Sequence, residues 1–97
     1  MVIIIKNVEK FQHYSRRQPP WIKLYRTLID DCTFNQLSDA SKWLAIQLWL
    51  LASEYEKSTI DDDENQIIFR LRTTKENLSI GLNDLTAAGF IICNSGC

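Results

Sequence analysis

The segment Trp43-Leu-Ala-Ile-Gln-Leu-Trp-Leu-Leu-Ala52 is the longest apolar stretch of the chain, and Gln47 is its only polar residue. Ser38 and Asp39 precede it and supply a hydroxyl that can cap a helix and an acid for its first turn. Apolar residues lie on most sides of this helix, which is typical of a buried helix. The segment therefore predicts a core helix from Asp39 to about Glu56, with Trp43 and Trp49 both in the core.

Short strands and short helices are predicted after this core helix. Two capping motifs predict two helix starts. Asp61 followed three residues later by Glu64 is a variant of the capping box, and Thr73–Glu76 is a capping box in type. Gly89 is placed to end the last helix. The predicted elements are a strand at Ser58–Ile60, a helix with Ile67, Ile68 and Leu71 inward, a helix with Leu78, Leu82 and Leu85 inward, and a strand at Phe90–Cys93.

This order predicts the fold class. A long core helix, a short strand, two short helices joined by a tight turn and a further strand are typical of a winged helix, which contains a helix-turn-helix. The length allows one domain, residues 1–97, that is mainly α with short strands.

The N-terminal third is predicted to be an arm followed by the first helix of the core. Val2–Ile5 is β-branched and indicates a short strand, or an apolar arm that docks elsewhere. Residues 1–18 form this N-terminal part, and residues 19–97 form the helical core. Pro19-Pro20 can start a helix, and apolar residues then recur at helical spacing. We therefore expect an amphipathic helix over Trp21–Ile29.

The charge is unevenly distributed although the net charge is only −1. Residues 1–26 carry +5, residues 27–69 carry −7 and residues 70–97 carry +1. This pattern indicates a positive edge with a binding role and excludes an overall basic field. No stretch approaches the ~20 apolar residues of a membrane span, and no secretory signal is present, so we expect a cytoplasmic protein with no membrane partner.

No catalytic or metal-binding pattern is found. Cys32, Cys93 and Cys97 form no CxxC pair and His13 is the only histidine, so we predict free thiols and no zinc site. Asp61–Glu64 lacks the alternating ligands of a calcium loop, and there is no glycine-rich phosphate loop. We expect a protein that is not an enzyme and needs no cofactor.

Several segments resemble the N-terminal region of bacteriophage and prophage replication proteins. They are Phe11-Gln-His-Tyr14, Pro19-Pro-Trp-Ile-Lys-Leu-Tyr-Arg26, Leu28-Ile-Asp-Asp31, Phe34, Leu37-Ser-Asp-Ala-Ser-Lys42 and Leu48-Trp-Leu-Leu-Ala-Ser53. The ending Leu85-Thr-Ala-Ala-Gly-Phe-Ile91 is similar to the close of many winged-helix domains. The resemblance covers nearly the whole chain, and it implies a winged-helix domain at the head of a longer phage protein. The chain ends four residues after Cys93, so the second wing strand is absent, or supplied by Val2–Ile5, or lies beyond a fragment.

Candidate DNA-binding residues follow from this fold. The outward side of the last helix carries Ile80, Asn83 and the acids Glu76 and Asp84, and acids are unfavourable beside phosphates. Asn83 can read adenine. The remaining candidates are cations that can anchor phosphates: Arg70, Arg72 and Lys75 near the turn, and Arg16, Arg17, Lys23 and Arg26 in the N-terminal third.

Two functions are compatible with these residues. The first is a non-catalytic DNA-binding or replisome-binding module of a phage-type replication protein, with duplex DNA favoured over single strands. The alternative is a protein-interaction or self-association domain with no nucleic-acid role. Candidate interface residues for the alternative are Ile80, Ile3 and Ile5, because exposed apolar patches mark contacts.

Overall fold

In the computed structural model of the chain, residues 1–6, 12–13 and 21–94 are described. They are mainly helical, with one three-stranded and one two-stranded antiparallel sheet. The strands are β1 (Val2–Ile5), β2 (Gln12–His13), β3 (Lys23–Leu24), β4 (Thr59–Asp61) and β5 (Ile91–Asn94). The helices are α1 (Cys32–Asn35), α2 (Asp39–Ala52), α3 (Glu64–Leu71) and α4 (Lys75–Ala87), with 3-10 turns at Arg26–Asp30 and Glu56–Ser58.

The N-terminal strand β1 is the central strand of the three-stranded sheet. It pairs antiparallel with β4 on one side and with β5 on the other, so Ile3 lies opposite both Ile60 and Cys93. Alternate side chains of a strand point to the same face, and Ile3 and Ile5 both enter the core. The order α2, β4, α3, α4, β5 around this sheet is compatible with a winged-helix-like fold.

The helix starts follow the predicted capping residues for α2 and, within one residue, for α4. The cap predicted at Asp61 for α3 is wrong, because α3 begins at Glu64 after Asp63, and Asp63 makes no side-chain capping hydrogen bond. The predicted start of α2 is confirmed, because Ser38 Oγ accepts a hydrogen bond of 3.2 Å from the Ser41 N–H. The helix ends at Ala52 and not near Glu56. The cap of α4 is Thr74, one residue later than predicted, and its Oγ1 accepts from the Asn77 N–H. Gly89 follows α4 with φ +85°, as expected for a glycine that ends a helix.

The core lies between α2, α4 and the sheet. A Cβ on Gly81 of α4 would lie 2.3 Å from Leu44 Cδ2 of α2, so the two helices pack closely at that point. Trp49 is buried and stacks on Phe34, with ring centroids 6.0 Å apart. Phe90 meets the same Phe34 ring edge-on at 6.1 Å. These contacts join Phe90, the residue before β5, to the last turn of α2.

The predicted helix over Trp21–Ile29 is wrong. Lys23–Leu24 is strand β3, which pairs with β2, and a 3-10 turn begins at Arg26. Tyr25 between them has an extended backbone, with φ −76° and ψ 137°. The helical spacing of apolar residues is a local signal, whereas the pairing of β3 with β2 joins residues about ten positions apart. In this segment the strand pairing overrides the local helical pattern. Trp21 and Ile29 are consequently exposed.

The prediction of free thiols is only partly right. Cys32 is free and exposed. Cys93 is disulfide-bonded and packs against the core. The prediction is therefore wrong for Cys93, and Cys97 lies outside the described residues.

Candidate functional site

Arg70 is the first of the three cations predicted near the turn between α3 and α4. Its guanidinium donates two hydrogen bonds to the Glu54 carboxylate, one of them 3.3 Å long. These bonds and the charge of Glu54 raise the pKa of Arg70 above its ordinary value. A phosphate would therefore have to compete with Glu54 for this cation.

Arg72 and Lys75 lie in different environments. Arg72 ends α3 in the left-handed conformation (φ +53°), where glycine is usual, and its Cζ lies 4.4 Å from the Phe69 ring centroid. Arg72 has no ion pair among the described residues. Lys75 Nζ lies 3.9 Å from a Glu64 carboxylate oxygen, but its side chain is 81% exposed, so this contact is weak.

The other predicted DNA-binding residues lie elsewhere. Lys23 on β3 and Arg26 in the 3-10 turn are exposed, and Lys23 Nζ lies 5.7 Å from the Trp21 ring centroid. Asn83 is exposed on α4. Arg16 and Arg17 lie outside the described residues. Lys23 and Arg26 therefore belong to β3 and the 3-10 turn after it, and not to α3 or α4.

The predicted interface residues divide into one exposed and two buried side chains. Ile80 is 61% exposed on α4, in keeping with its predicted position. Ile3 and Ile5 are 0% and 5% exposed, so their prediction as interface residues is wrong. Both lie on the inner face of the central strand of the sheet. Because the helices pack on that face, these two side chains are part of the core.

Trp43 was predicted to lie in the core but is exposed in the structure. Trp49 is in the core as predicted, but Trp43 is 56% exposed. At 3.6 residues per turn, side chains six residues apart point in directions about 120° apart around the helix. The inner face of α2 meets α4 and the sheet, and Trp43 is turned away from it. The prediction of a core Trp43 is therefore wrong.

Trp43 lines two depressions on the side of the domain where α2 meets α3 and the turn to α4. The first, of about 310 Å³, lies between the start of α2 and the turn that joins α3 to α4, and its walls include Leu44, Arg72 and Ile80. The second, of about 220 Å³, continues along α2 to Leu50. We define the Trp43 surface as the exposed large apolar residues along these depressions, together with Arg72 and the Phe69 ring beside it. Its residues are Trp43, Leu50, Phe69, Arg72 and Ile80.

Internal contacts fix the shape of the first depression. Gln47 Nε2 donates a hydrogen bond of 3.1 Å to the Leu71 carbonyl oxygen, which ties α2 to the end of α3. Ser41 Oγ donates to Asp84 Oδ2 at 2.8 Å and ties the first turn of α2 to α4. The depression is therefore formed by three helices held together by specific hydrogen bonds, and it does not depend on a ligand for its walls.

The charges on this surface are few. Among the described residues, Arg72 is the only charged one on the walls of the first depression. The second has Glu54 and Arg70, which compensate each other. An apolar surface with a single uncompensated cation is better suited to a protein segment than to a row of phosphates.

Sequence reasoning identified Ile80, Arg70 and Arg72 but missed Trp43, Leu50 and Phe69 as surface residues. A signal for two of them was present in the sequence. The helix α2 is apolar on nearly all sides, and a domain of 97 residues has too few partner elements to cover every side of one helix. At least one apolar side of α2 therefore had to remain exposed. Phe69 gave no comparable signal.

Comparison with known proteins finds no match to a family model, to a curated protein or to a solved structure. Within residues 1–6, 12–13 and 21–94, no three acidic, histidine or cysteine side chains are grouped so as to hold a metal ion. In the same part of the chain, no helix has the length and apolar character required to cross a membrane.

Proposed function

We propose that the chain is a non-catalytic protein-binding domain of winged-helix type, and that its partner docks on the Trp43 surface. The observation that carries this proposal is the exposure of large apolar side chains on the helix-turn-helix side of the domain. Trp43, Phe69 and Ile80 each expose more than half of their surface. Apolar patches of this kind mark interaction sites, and tryptophan is enriched among residues that dominate binding energy.

The topology supports a winged-helix assignment in which the wing is unusual. The strand β1 lies between β4 and β5, at the place where the returning strand of a wing would pair. At the Val2 end of this sheet, the N-terminal ammonium donates a hydrogen bond of 3.0 Å to the Asp62 carbonyl oxygen. Asp61 and Asp63 are exposed there, which makes this end acidic and unsuited to a DNA backbone.

The resemblance to phage replication proteins suggests the class of partner. It implies DNA or replisome proteins as partners, and a replisome protein would provide a protein surface for this domain to bind. Of the two roles expected from the sequence, DNA binding and replisome binding, we therefore propose replisome binding.

Duplex DNA binding is the second candidate. It is favoured by the exposure of Arg72, Lys75 and Asn83 around the start and outer side of α4. These residues occupy the part of a helix-turn-helix that approaches the major groove. Its weakness is the small number of free cations, because phosphate neutralisation supplies most of the affinity of such complexes.

A displayed library of random peptides tests the proposed function. It is selected against the wild-type chain, against Trp43→Gln and against a control variant, Ile29→Gln, which removes an exposed apolar side chain outside the Trp43 surface. We expect the wild type and the control to enrich the same peptides and Trp43→Gln to lose them. Failure to enrich any peptide, or equal enrichment on Trp43→Gln, would contradict the proposal.

Fluorescence anisotropy with a labelled duplex tests the second candidate. Binding is measured between about 50 and 200 mM salt, where phosphate-dependent complexes weaken strongly. Duplex binding that is lost in Arg72→Gln and Lys75→Gln would support DNA as the ligand. Absence of binding at the lowest salt would eliminate it for this domain.

A further inference from the structure

The first depression and Arg72 together define the chemistry of the partner. We infer that the partner segment presents a large apolar side chain beside an aspartate or glutamate, with the apolar group in the depression and the carboxylate on the Arg72 guanidinium. This inference rests on the proposed function, since it names the chemistry that the Trp43 surface recognises.

The walls of the depression determine the apolar part of this ligand. Trp43, Leu44 and Ile80 supply apolar surface, and Leu71 lies between them and the turn. The volume of about 310 Å³ is at the lower end of ~300–1,000 Å³, the range of small-ligand pockets. It has room for one or two large side chains. Shape is preset by the Gln47–Leu71 hydrogen bond, so the segment does not have to order these walls when it binds.

Arg72 determines the acidic part. Its guanidinium lies against the Phe69 ring, which restricts the side chain and leaves N–H groups at the edge of the guanidinium plane free to donate. Arg72 is the only charge on the walls of the depression, and no ion pair among the described residues compensates it. A carboxylate matches this planar group through two parallel hydrogen bonds.

A protein segment fits this site better than nucleic acid. Arg72 on the walls satisfies one carboxylate, and with the exposed Lys75 on the same turn only two cations are available, whereas a nucleic acid backbone presents a phosphate at every nucleotide. The neighbouring Arg70 does not add a further free cation, because Glu54 holds it. The proposal therefore commits to an acidic and apolar protein segment, and a nucleic acid ligand is an outcome of the test.

The test repeats the peptide selection with Arg72→Glu and with a control, Lys75→Gln, which removes an exposed cation on the same turn. We expect peptides selected on the wild type and on the control to carry an acid within one helical turn of a large apolar residue. Arg72→Glu is expected to select lysine or arginine at that place. A synthetic wild-type-selected peptide should lose roughly fivefold to tenfold in affinity when its acid is changed to the amide.

The outcomes separate this inference from the proposed function. Peptides that require Trp43 but show no preference for an acid, or bind Arg72→Glu equally well, would overturn the inference and leave the proposed function standing. Absence of any selected peptide would overturn both. Displacement of a selected peptide by a duplex oligonucleotide at equal or lower concentration would assign the depression to nucleic acid and overturn the inference.

Discussion

Replacing each tryptophan of α2 by alanine should affect stability very differently. Full burial of an aromatic side chain removes roughly 150–250 Å² from water. Trp43 has less than half of its surface covered, so Trp43→Ala gives up the burial of about 100 Å² of apolar surface. That area corresponds to a loss of at most ~2.5 kcal/mol in the free energy of unfolding. Alanine regains about 0.5 kcal/mol of helix propensity. We expect Trp43→Ala to cost about 1–2 kcal/mol and Trp49→Ala about 3–5 kcal/mol.

Urea unfolding followed by circular dichroism measures both variants without relying on tryptophan fluorescence. A domain of this length has a free energy of unfolding of about 5–15 kcal/mol, so the Trp49 variant is expected to lose a large part of it. The slope m should stay unchanged for Trp43→Ala, since only the midpoint should move. A loss above about 3 kcal/mol for Trp43→Ala would show that its ring is packed in the core, and the Trp43 surface would then not exist.

Three further perturbations follow from the described contacts. Gly81→Ala places a Cβ against a terminal methyl of Leu44 only, since Leu44 Cγ is 3.6 Å away. Moving that side chain costs about 0.5–1.5 kcal/mol, and alanine gains about 1 kcal/mol in helix propensity. We therefore expect a free energy of unfolding in urea within about 1 kcal/mol of the wild-type value. A loss above about 3 kcal/mol would mean that Leu44 cannot move. Gly89→Ala should cost about 1–2 kcal/mol through its backbone alone, because φ is +85° and nothing lies within 4 Å of the new Cβ; an unchanged unfolding midpoint would refute this. A double-mutant cycle on Arg70 and Glu54, both about half exposed, should give a coupling of about 0.2–1 kcal/mol that shrinks at 1 M salt; a salt-independent coupling would contradict this surface pairing.

The helices of the second half could be predicted because their signals are local. Ser38 caps α2 through a contact three residues away, and Gly89 supplies the positive φ that ends α4. Both effects depend on the residue type at one position and on its immediate neighbours. The error at the start of α4 was a shift from Thr73 to Thr74, two residues with the same capping chemistry.

The candidate site could be predicted only in part, because burial depends on partners that are distant in sequence. Trp43 and Trp49 are alike in residue type and lie in the same apolar helix, so nothing local separates them. Their difference follows from where α4 and the sheet pack against α2. The same cause makes Arg70 a paired cation, since Glu54 lies 16 residues before it.

The sequence by itself determined where the helices α2, α3 and α4 and the strand β5 lie, since spacing and capping act within a few residues. Only the tertiary structure decided that β1 is the central strand between β4 and β5, and that Lys23–Leu24 is a strand and not part of a helix. Strand pairing joins residues far apart in the chain, and its hydrogen bonds can overrule a local helical pattern. The exposure of Trp43 beside Arg72 is decided in the same way, by which face of each helix the rest of the domain covers.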